Sequence, residues 1–203
     1  MSDSQTSLGF LTSRRSIRAY RPEEVPPSLI DHLIDVARWA PSAHNAQPWR
    51  FRVIQRAGLK ERLAREMAIR FQEDLERGGC QRDRAIQQAD ASIERFSTSP
   101  ALIVACIDPS QMDRYPDATR KRAEEIMAAQ SLAAALQNLL LAATACGLGA
   151  CWYCAPLFCP DVVRKVLLLP DHYIPQALVT LGYPAETPAP PARLPVDEIR
   201  KID

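Results

Sequence analysis

One stretch of this sequence constrains the fold more than any other: from Ile126 to Pro160 no side chain carries a charge. Its length raises the question of a membrane span. However, four amide and hydroxyl side chains between residues 130 and 138 interrupt its apolar character, and Gly147 and Gly149 divide it into two shorter pieces. The stretch therefore predicts a buried core helix over residues 118–146 that stops at Gly147, followed by a buried strand over residues 150–153.

The remaining elements follow from apolar periodicity and from Pro and Gly breaks. A helix is predicted to begin at an N-cap Ser28 and to end at Ala40, directly before Pro41. Further helices are predicted at 59–77, 82–96 and 160–169, and extended segments or strands at 51–54, 101–107 and 174–183. Because helices outnumber strands, we expect an α+β domain with a central sheet flanked by helices.

The composition changes after Tyr183, where five prolines follow within twelve residues. Proline fixes its own backbone and lacks an N–H donor, so this stretch favours an extended arm without regular structure. We therefore expect residues 1–183 to form one domain and residues 184–203 to form an arm that packs on a neighbouring subunit.

The net charge, the N-terminal sequence and the cysteine spacing limit which classes of function this chain can have. The net charge of +1 lacks the long-range field of a dedicated nucleic-acid binder, so we expect no nucleic-acid partner and only a local anion site. The first residues show no charged segment followed by an apolar one, which predicts no secretory signal, a cytoplasmic location and no membrane partner. Six irregularly spaced cysteines fit a reducing compartment better than a disulfide framework.

The segment Arg14-Arg15-Ser16-Ile17-Arg18 concentrates three guanidinium groups and a hydroxyl ahead of the helix that begins near Ser28. Arginine presents forked donors that suit phosphate oxygens, and a neighbouring serine adds a further hydrogen bond. The cluster therefore indicates a phosphorylated ligand. A solvated basic face is the alternative.

Residues 40–51 read Ala-Pro-Ser-Ala-His-Asn-Ala-Gln-Pro-Trp-Arg-Phe, a polar loop between two prolines. Its amides and hydroxyl could contact the edge of a planar heterocycle. Alternatively, Ser42 and Asn45 satisfy local backbone groups in a turn. His44 could donate a proton or serve a structural role in the same loop.

Four motifs in order resemble the flavin-dependent nitroreductase family. They are Ser-Arg-Arg-Ser-Ile-Arg at 13–18, the loop at 40–49, Gly-Leu-Gly-Ala-Cys-Trp at 147–152 and Leu-Gly-Tyr-Pro at 181–184. The resemblance implies an α+β nitroreductase-like fold with a mostly antiparallel sheet. It also implies a homodimer with FMN at the subunit interface and a C-terminal arm that reaches over the partner.

The resemblance also implies which positions bind FMN. They are Arg14, Arg15, Ser16, Ile17, Arg18, Ser42, Asn45, Asp74, Tyr153, Cys154 and Arg193. The N-terminal positions would hold phosphate, ribityl chain and ring, while Ser42 and Asn45 would approach the flavin from the other subunit. Asp74, expected on the helix after the second strand, would contact the pyrimidine edge, and Arg193 would add a phosphate contact.

The segment Tyr153-Cys154 would place main-chain groups near flavin N5 and O4. Many family members have a Glu-Gly or Gly pair where this chain has Cys154-Ala155, so we expect the main chain rather than a side chain to act there. No catalytic side chain and no metal are expected, because the flavin performs the chemistry. The implied reaction is two-electron reduction of a conjugated small molecule that stacks on the flavin. A general NAD(P)H-dependent nitro, quinone or flavin reductase is the alternative.

A narrower resemblance involves residues 114–127, the strand containing Cys151-Trp152 and residues 162–164. These are similar to the flavin-binding C-terminal domain of bifunctional enzymes that make the deazaflavin coenzyme F-420. That domain is thought to reduce a dehydro precursor, and Arg114, Arg120 and Arg122 could then meet an acidic substrate tail. A solvated face at the helix start is the alternative.

Two other classes compete with a flavin enzyme. Cys146, Cys151, Cys154 and Cys159 give a spacing that resembles part of an iron–sulfur ligand set. Against a cluster, Cys151 and Cys154 would lie on one strand at an odd offset and so face opposite sides of the sheet. A nucleic-acid arm at the Arg-rich N-terminus is the other reading, and the near-neutral charge argues against it.

Overall fold

The computed structural model describes residues 3–201, with side chains from residue 7 onward. The helices are Asp3–Ser13 (α1), Pro27–Ala37 (α2), Ala57–Arg77 (α3), Arg82–Ser97 (α4), Ala118–Ala145 (α5), Pro160–Leu167 (α6) and Val196–Ile199 (α7). The strands are Trp49–Ile54 (β1), Ala101–Ile107 (β2), Gly149–Tyr153 (β3) and Ile174–Gly182 (β4). Short 3₁₀ turns occur at Ala43–Asn45, Pro109–Gln111 and Ala155–Phe158.

The four strands form one sheet in the order β1-β2-β4-β3, and every neighbouring pair is antiparallel. Every residue of β2 is buried, as are nearly all residues of β4, because these central strands are covered on both faces. A continuous apolar run rather than an alternating one is the expected sequence of such a strand. The predicted α+β class and antiparallel sheet are confirmed.

Helices cover both faces of the sheet and make two separate cores. On one face, α2 and α5 pack on the odd-numbered positions of β2, such as Ile103 and Ala105. On the other face, α3, α4 and α6 pack on the even-numbered positions, such as Leu102 and Val104. This division matters for the site, because groups on opposite faces of the sheet cannot meet within one chain.

Helix α5 is the long core helix that the charge-free stretch predicts. Within residues 3–201 it is the one helix long and apolar enough, by length and composition alone, to cross a membrane. Half of its most apolar stretch is buried inside the domain, and it packs on α2 and on the sheet. Its C-terminal stop is Gly147, whose φ of 71° lies in the left-handed region that glycine adopts at little cost.

Several predicted boundaries are wrong. Helix α2 begins at Pro27 with Pro26 as N-cap, so Ser28 lies inside the first turn and caps nothing. Proline is suited to that first position, because the N–H it lacks would be unpaired there. The helix ends at Ala37 rather than Ala40. Likewise, α6 ends at Leu167, and Leu168 adopts a left-handed φ of 52°.

Two helices were not predicted. Helix α1 precedes the arginine cluster, and its small and polar residues give no clear apolar period. Helix α7 interrupts the Pro-rich arm, so the prediction of no regular structure there is wrong for Val196–Ile199. Pro195 immediately precedes this short helix, a position that proline tolerates. The arm itself is exposed from Ala185 to residue 201.

Candidate functional site

The arginine cluster lies along the outer edge of the sheet, next to β3. Ser16 forms a parallel bridge with Ala150, and the Ile17 N–H donates to the Ala150 carbonyl at 3.1 Å. The two backbones approach closely because position 149 is glycine. A Cβ placed there would lie 2.7 Å from the Ile17 side chain. The motif at 147–152 is therefore the surface on which the cluster rests.

Tyr20 fixes the far end of the same segment. Its hydroxyl lies 2.6 Å from the Ile17 carbonyl, to which it can donate, and 2.6 Å from Thr180 Oγ1 on β4. Burial raises the pKa of Tyr20 well above its usual value, so the hydroxyl stays protonated. The segment from Ser16 to Tyr20 is thus held to both β3 and β4.

The three arginines have different surroundings. The Arg15 guanidinium turns back onto the end of α1 and donates to the carbonyls of Thr12, Ser13 and Arg14 at 2.8–2.9 Å. Arg14 and Arg18, in contrast, have no carboxylate partner among the described side chains, and Arg18 makes only a 3.4 Å contact with the Ser16 carbonyl. Unpaired guanidinium groups in one segment fit an anionic group.

A cavity of about 420 Å³ opens where β3 ends, between α3, α4 and the turn that follows β3. This volume lies within the usual range of small-molecule sites. The lining residues are Met67, Arg70, Phe71, Asp74, Leu75, Ser92, Arg95, Phe96, Tyr153, Cys154, Ala155, Phe158 and Cys159. The structure thus brings three of the proposed FMN-binding residues, Asp74, Tyr153 and Cys154, to one cavity. Asp74, however, lies on α3, after the first strand and not after the second.

Two polar groups of this cavity, the Arg95 guanidinium and the Tyr153 hydroxyl, have no hydrogen-bond or ion-pair partner among the described residues. Arg95 lies over the Tyr153 ring, 5.7 Å from its centroid, and no carboxylate of residues 7–201 pairs with it. The Tyr153 hydroxyl is buried without a hydrogen-bond partner, and its pKa is raised mainly by burial. Arg18, in the cluster beside β3, acts to lower that same pKa, but burial dominates.

The other charges of the cavity are neutralised. Arg70 pairs with Asp161 at 3.1 Å, and Asp74 pairs with Arg77 at 2.8 Å. Arg95 is therefore the cation best placed to meet negative charge on a bound group. Sequence reasoning missed it because α4 carries no motif, and only the packing of α4 beside Tyr153 identifies it.

The cysteines do not gather as an iron–sulfur site would require. Cys151 is buried on β3, whereas Cys154 is exposed and follows the strand, so the prediction that both lie on it is wrong. Cys146 caps the end of α5, and Cys159 is buried beside α6. Within the described part of the chain, no group of three His, Cys, Asp or Glu side chains could hold a metal ion.

The polar loop at 42–47 lies on the α5 face of the sheet. The Gln47 N–H donates to Ser42 Oγ at 3.1 Å, which closes the loop on itself. The Ala43 N–H donates to Ser131 Oγ at 3.2 Å, and that hydroxyl donates to the Met127 carbonyl of α5 at 2.7 Å. Ser42 therefore satisfies a local backbone group, and the loop is anchored to the core helix.

Three residues of this loop have a left-handed backbone although none is glycine. The φ angles are 53° for His44, 53° for Asn45 and 46° for Gln47. Such a conformation costs about 1–3 kcal/mol for a non-glycine residue and persists where the surrounding structure enforces it. The side chains of His44 and Asn45 are exposed. The loop therefore displays both side chains on a constrained backbone.

Other predicted residues lie away from the cavity. Ser42 and Asn45 are on the opposite face of the sheet, and Arg193 is on the exposed arm with no hydrogen bond or ion pair to the described residues. Of the three arginines suggested for an acidic tail, Arg120 pairs with Asp117 and Arg122 pairs with Glu125 at 3.4 Å. Arg114 is exposed, and no described carboxylate pairs with it.

Known proteins resemble this chain along most of its length. The sequence model of the Nitroreductase family matches residues 11–183. An NADH dehydrogenase from Thermus thermophilus is 34% identical over 200 residues, which covers 92% of this chain and 90% of the relative. A BluB-like flavoprotein from Clostridium difficile superposes with a TM-score of 0.76 at 27% identity, covering 100% and 99% of the two chains. A candidate nitroreductase from Desulfovibrio desulfuricans, solved in complex with FMN, gives 0.72 at 25% identity over 97% and 95%.

The fold and the relatives together define a flavin-dependent oxidoreductase. More specifically, the chain belongs to the nitroreductase family, because the family model spans most of its length. Membership confirms the oxidoreductase class and the FMN cofactor that the sequence motifs imply. The residues present also fit FMN, since Arg14 and Arg18 flank the segment that pairs with β3, and the cavity at the end of that strand contains Arg95.

Proposed function

We propose that this protein is an FMN-dependent oxidoreductase that passes a hydride from a nicotinamide dinucleotide to a conjugated small molecule. One observation carries the proposal: unpaired Arg14 and Arg18 lie on the edge of β3, and the cavity opens at the end of the same strand. Two relatives support it, since the Desulfovibrio protein binds FMN and the Thermus protein is an NADH dehydrogenase.

Each group of this chain has a distinct task in the proposal. Arg14 and Arg18 bind the FMN phosphate, and main-chain groups of Tyr153-Cys154 orient the ring. Arg95 stabilises negative charge at the pyrimidine edge, which makes the cofactor easier to reduce. Bound FMN supplies the hydride chemistry, and the aromatic cavity walls position the substrate and exclude water.

A homodimer completes the proposed site. Ser42 and Asn45 lie in the loop anchored to α5, on the face of the sheet opposite the cavity, so they would approach FMN only in a second copy. The exposed arm, with Arg193, would reach the partner in the same way. The domain of residues 1–183 and the arm of residues 184–203 then have separate roles, one catalytic and one in dimerisation.

The test of the phosphate assignment is the double variant Arg14→Ala with Arg18→Ala. We expect it to be folded but colourless after purification, whereas the wild-type protein shows the two visible absorbance bands of bound flavin. The control is Arg62→Ala with Arg84→Ala, which removes two exposed helix arginines and should leave flavin content unchanged. Full flavin occupancy in the first double variant would refute the assignment.

Reduction of a dehydro precursor of coenzyme F-420 is the second candidate function. The observation that favours it is Arg114, an exposed and unpaired cation at the start of the loop before α5. The local pairing of Arg120 and Arg122 leaves less positive charge for an acidic tail than the sequence suggests. Turnover of the dehydro precursor by the FMN-loaded protein would support this candidate, and efficient reduction of quinones or nitroaromatics alone would reject it.

A further inference from the structure

The constrained loop at 42–47 has a feature that flavin binding does not explain. His44 is the one side chain of this loop of a type that commonly serves as a general acid, and it is exposed on a left-handed backbone with φ of 53°. No hydrogen bond or ion pair with the rest of the described chain engages its imidazole. Strain that local structure maintains is typical of functional sites, and here it fixes the Cα–Cβ direction of the residue that carries an unpartnered imidazole.

Hydrogen bonds hold the loop backbone around His44 in place. Asn45 N–H donates to the Ser42 carbonyl at 3.1 Å, and Ala46 N–H donates to the Ala43 carbonyl at 3.0 Å. Together with the bonds to Ser42 Oγ and Ser131 Oγ, these contacts hold the backbone on both sides of His44. A proton donor needs such positioning, because transfer requires hydrogen-bond distance to the reacting atom.

The cavity itself lacks a suitable donor. Asp74 is paired with Arg77 at 2.8 Å, and arginine side chains do not release protons. Burial raises the pKa of Tyr153 and raises that of the Cys159 thiol to about 11, so neither is a good acid near neutral pH. Cys154 is exposed and remains the one competitor on the cavity wall.

We propose that His44 of one copy is the catalytic acid for the substrate bound in the cavity of the other copy. This proposal rests on the proposed function as a homodimeric flavin enzyme. For a quinone, bound reduced FMN would supply two electrons and one proton as a hydride. The imidazolium N–H bond of His44 then breaks, and a second O–H bond forms on the substrate to give the hydroquinone. Solvent reprotonates the imidazole, and a nicotinamide dinucleotide reduces the flavin again.

The experiment compares two oxidants of the reduced holoenzyme in single-turnover stopped flow. Menadione must gain a proton when it is reduced, whereas ferricyanide accepts electrons alone. His44→Gln should reoxidise with menadione about 100-fold more slowly than wild type and with ferricyanide at the wild-type rate. The exposed His32→Gln should resemble wild type with both oxidants. Cys154→Ala tests the competitor: slowing with menadione alone in that variant would assign the proton to Cys154 and overturn the role of His44.

A second readout does not depend on turnover. Oxidised holoenzyme cannot reduce menadione, so the imidazole NMR signals of the three histidines can be followed while menadione binds. The His44 signal is identified as the one that is missing from the His44→Gln variant. In wild-type protein this signal should shift when menadione binds, and the signals of His32 and His172 should not. An unmoved His44 signal at saturating menadione, or equal slowing with both oxidants, would overturn the role of His44. Wild-type protein without flavin would instead refute the proposed function.

Discussion

Gly149 and Ile17 approach so closely that a methyl group on the glycine would lie 2.7 Å from the isoleucine side chain. This contact joins two sequence motifs that lie far apart in the chain. The segment that carries the N-terminal arginines can lie this close to β3 because the strand begins with a residue that has no side chain.

The first prediction follows from that contact. Gly149→Ala should push Ile17 and its neighbours away from β3, with an overpacking cost of about 1–3 kcal/mol. Because Arg14 and Arg18 move with Ile17, the affinity for FMN should fall more than the stability of the domain. Fluorescence titration of the apoprotein with FMN, together with the free energy of unfolding in urea, measures both effects.

Gly58→Ala is the matched control. Gly58 lies in α3, and an added Cβ would meet no atom within 4 Å. Alanine should therefore leave FMN affinity unchanged and stabilise the helix by about 0.5–1 kcal/mol. Equal FMN affinity in both variants would contradict the importance of the contact between residues 17 and 149.

A second prediction concerns the hydroxyl of Tyr20. Tyr20→Phe removes the bonds to Ile17 and Thr180 and should cost about 1 kcal/mol of stability. It should also weaken FMN binding, since the arginine segment loses its attachment to β4. Tyr115→Phe is the control, because Tyr115 only stacks on Arg120 at the surface. Thermal unfolding and FMN titration of both variants would show whether the hydroxyl matters.

The third prediction concerns pH and Asp108, a buried carboxylate 2.8 Å from Arg50 and 3.6 Å from His172. Burial acts to raise the pKa of Asp108, but hydrogen bonds from Ser110 and the nearby Arg50 and His172 side chains lower it by more. A lowered pKa in the folded state stabilises the fold above the unfolded pKa. That stabilisation is lost as the pH falls through the folded value.

We therefore expect Asp108→Asn to cost about 1–2 kcal/mol at pH 7, a figure kept low because Arg50 is partly exposed. The difference from wild type should disappear in acid, below the folded pKa of Asp108. Urea unfolding between pH 3 and pH 7 provides the measurement. Asp90→Asn, at an exposed position of α4, is the control and should show no such trend.

A fourth prediction addresses Arg95. In the FMN-loaded protein, Arg95→Gln should lower the midpoint potential of the flavin by about 30 mV or more, since 30 mV corresponds to about 1.4 kcal/mol for a two-electron couple. Arg84→Gln removes an exposed charge from the same helix and should change the potential little. A potential that is equal in wild type and Arg95→Gln would remove this residue from the pyrimidine edge.

Much of the fold could be predicted because strong local patterns agreed with the tertiary packing. Strand β2 was predicted at its observed bounds, since Pro100 and Asp108-Pro109 delimit a wholly apolar run. The extent of α5 was also predicted nearly to the residue by its composition and by Gly147. Helix ends that depend on a single turn, such as those of α2 and α6, were less accurate.

The site was only partly predictable from sequence. The arginine cluster and the loop at 42–47 carry recognisable residue patterns, whereas the cavity wall arises from helices α3 and α4 that carry none. Arg95 is one of many arginines in the chain, and only its place over Tyr153 distinguishes it. The sequence also does not show which arginines have hydrogen-bond or ion-pair partners. Arg15 donates to backbone carbonyls, whereas Arg14 and Arg18 have no carboxylate partner among the described residues.

The sheet itself separates the loop at 42–47 from the cavity, and this has a genetic consequence for the proposed homodimer. Each site would then combine the cavity of one chain with the loop of the other. Pairing a chain defective at Arg95 with a chain defective at His44 leaves one complete site in every mixed dimer. Placing both defects on one chain spoils both sites, so a wild-type partner cannot rescue it.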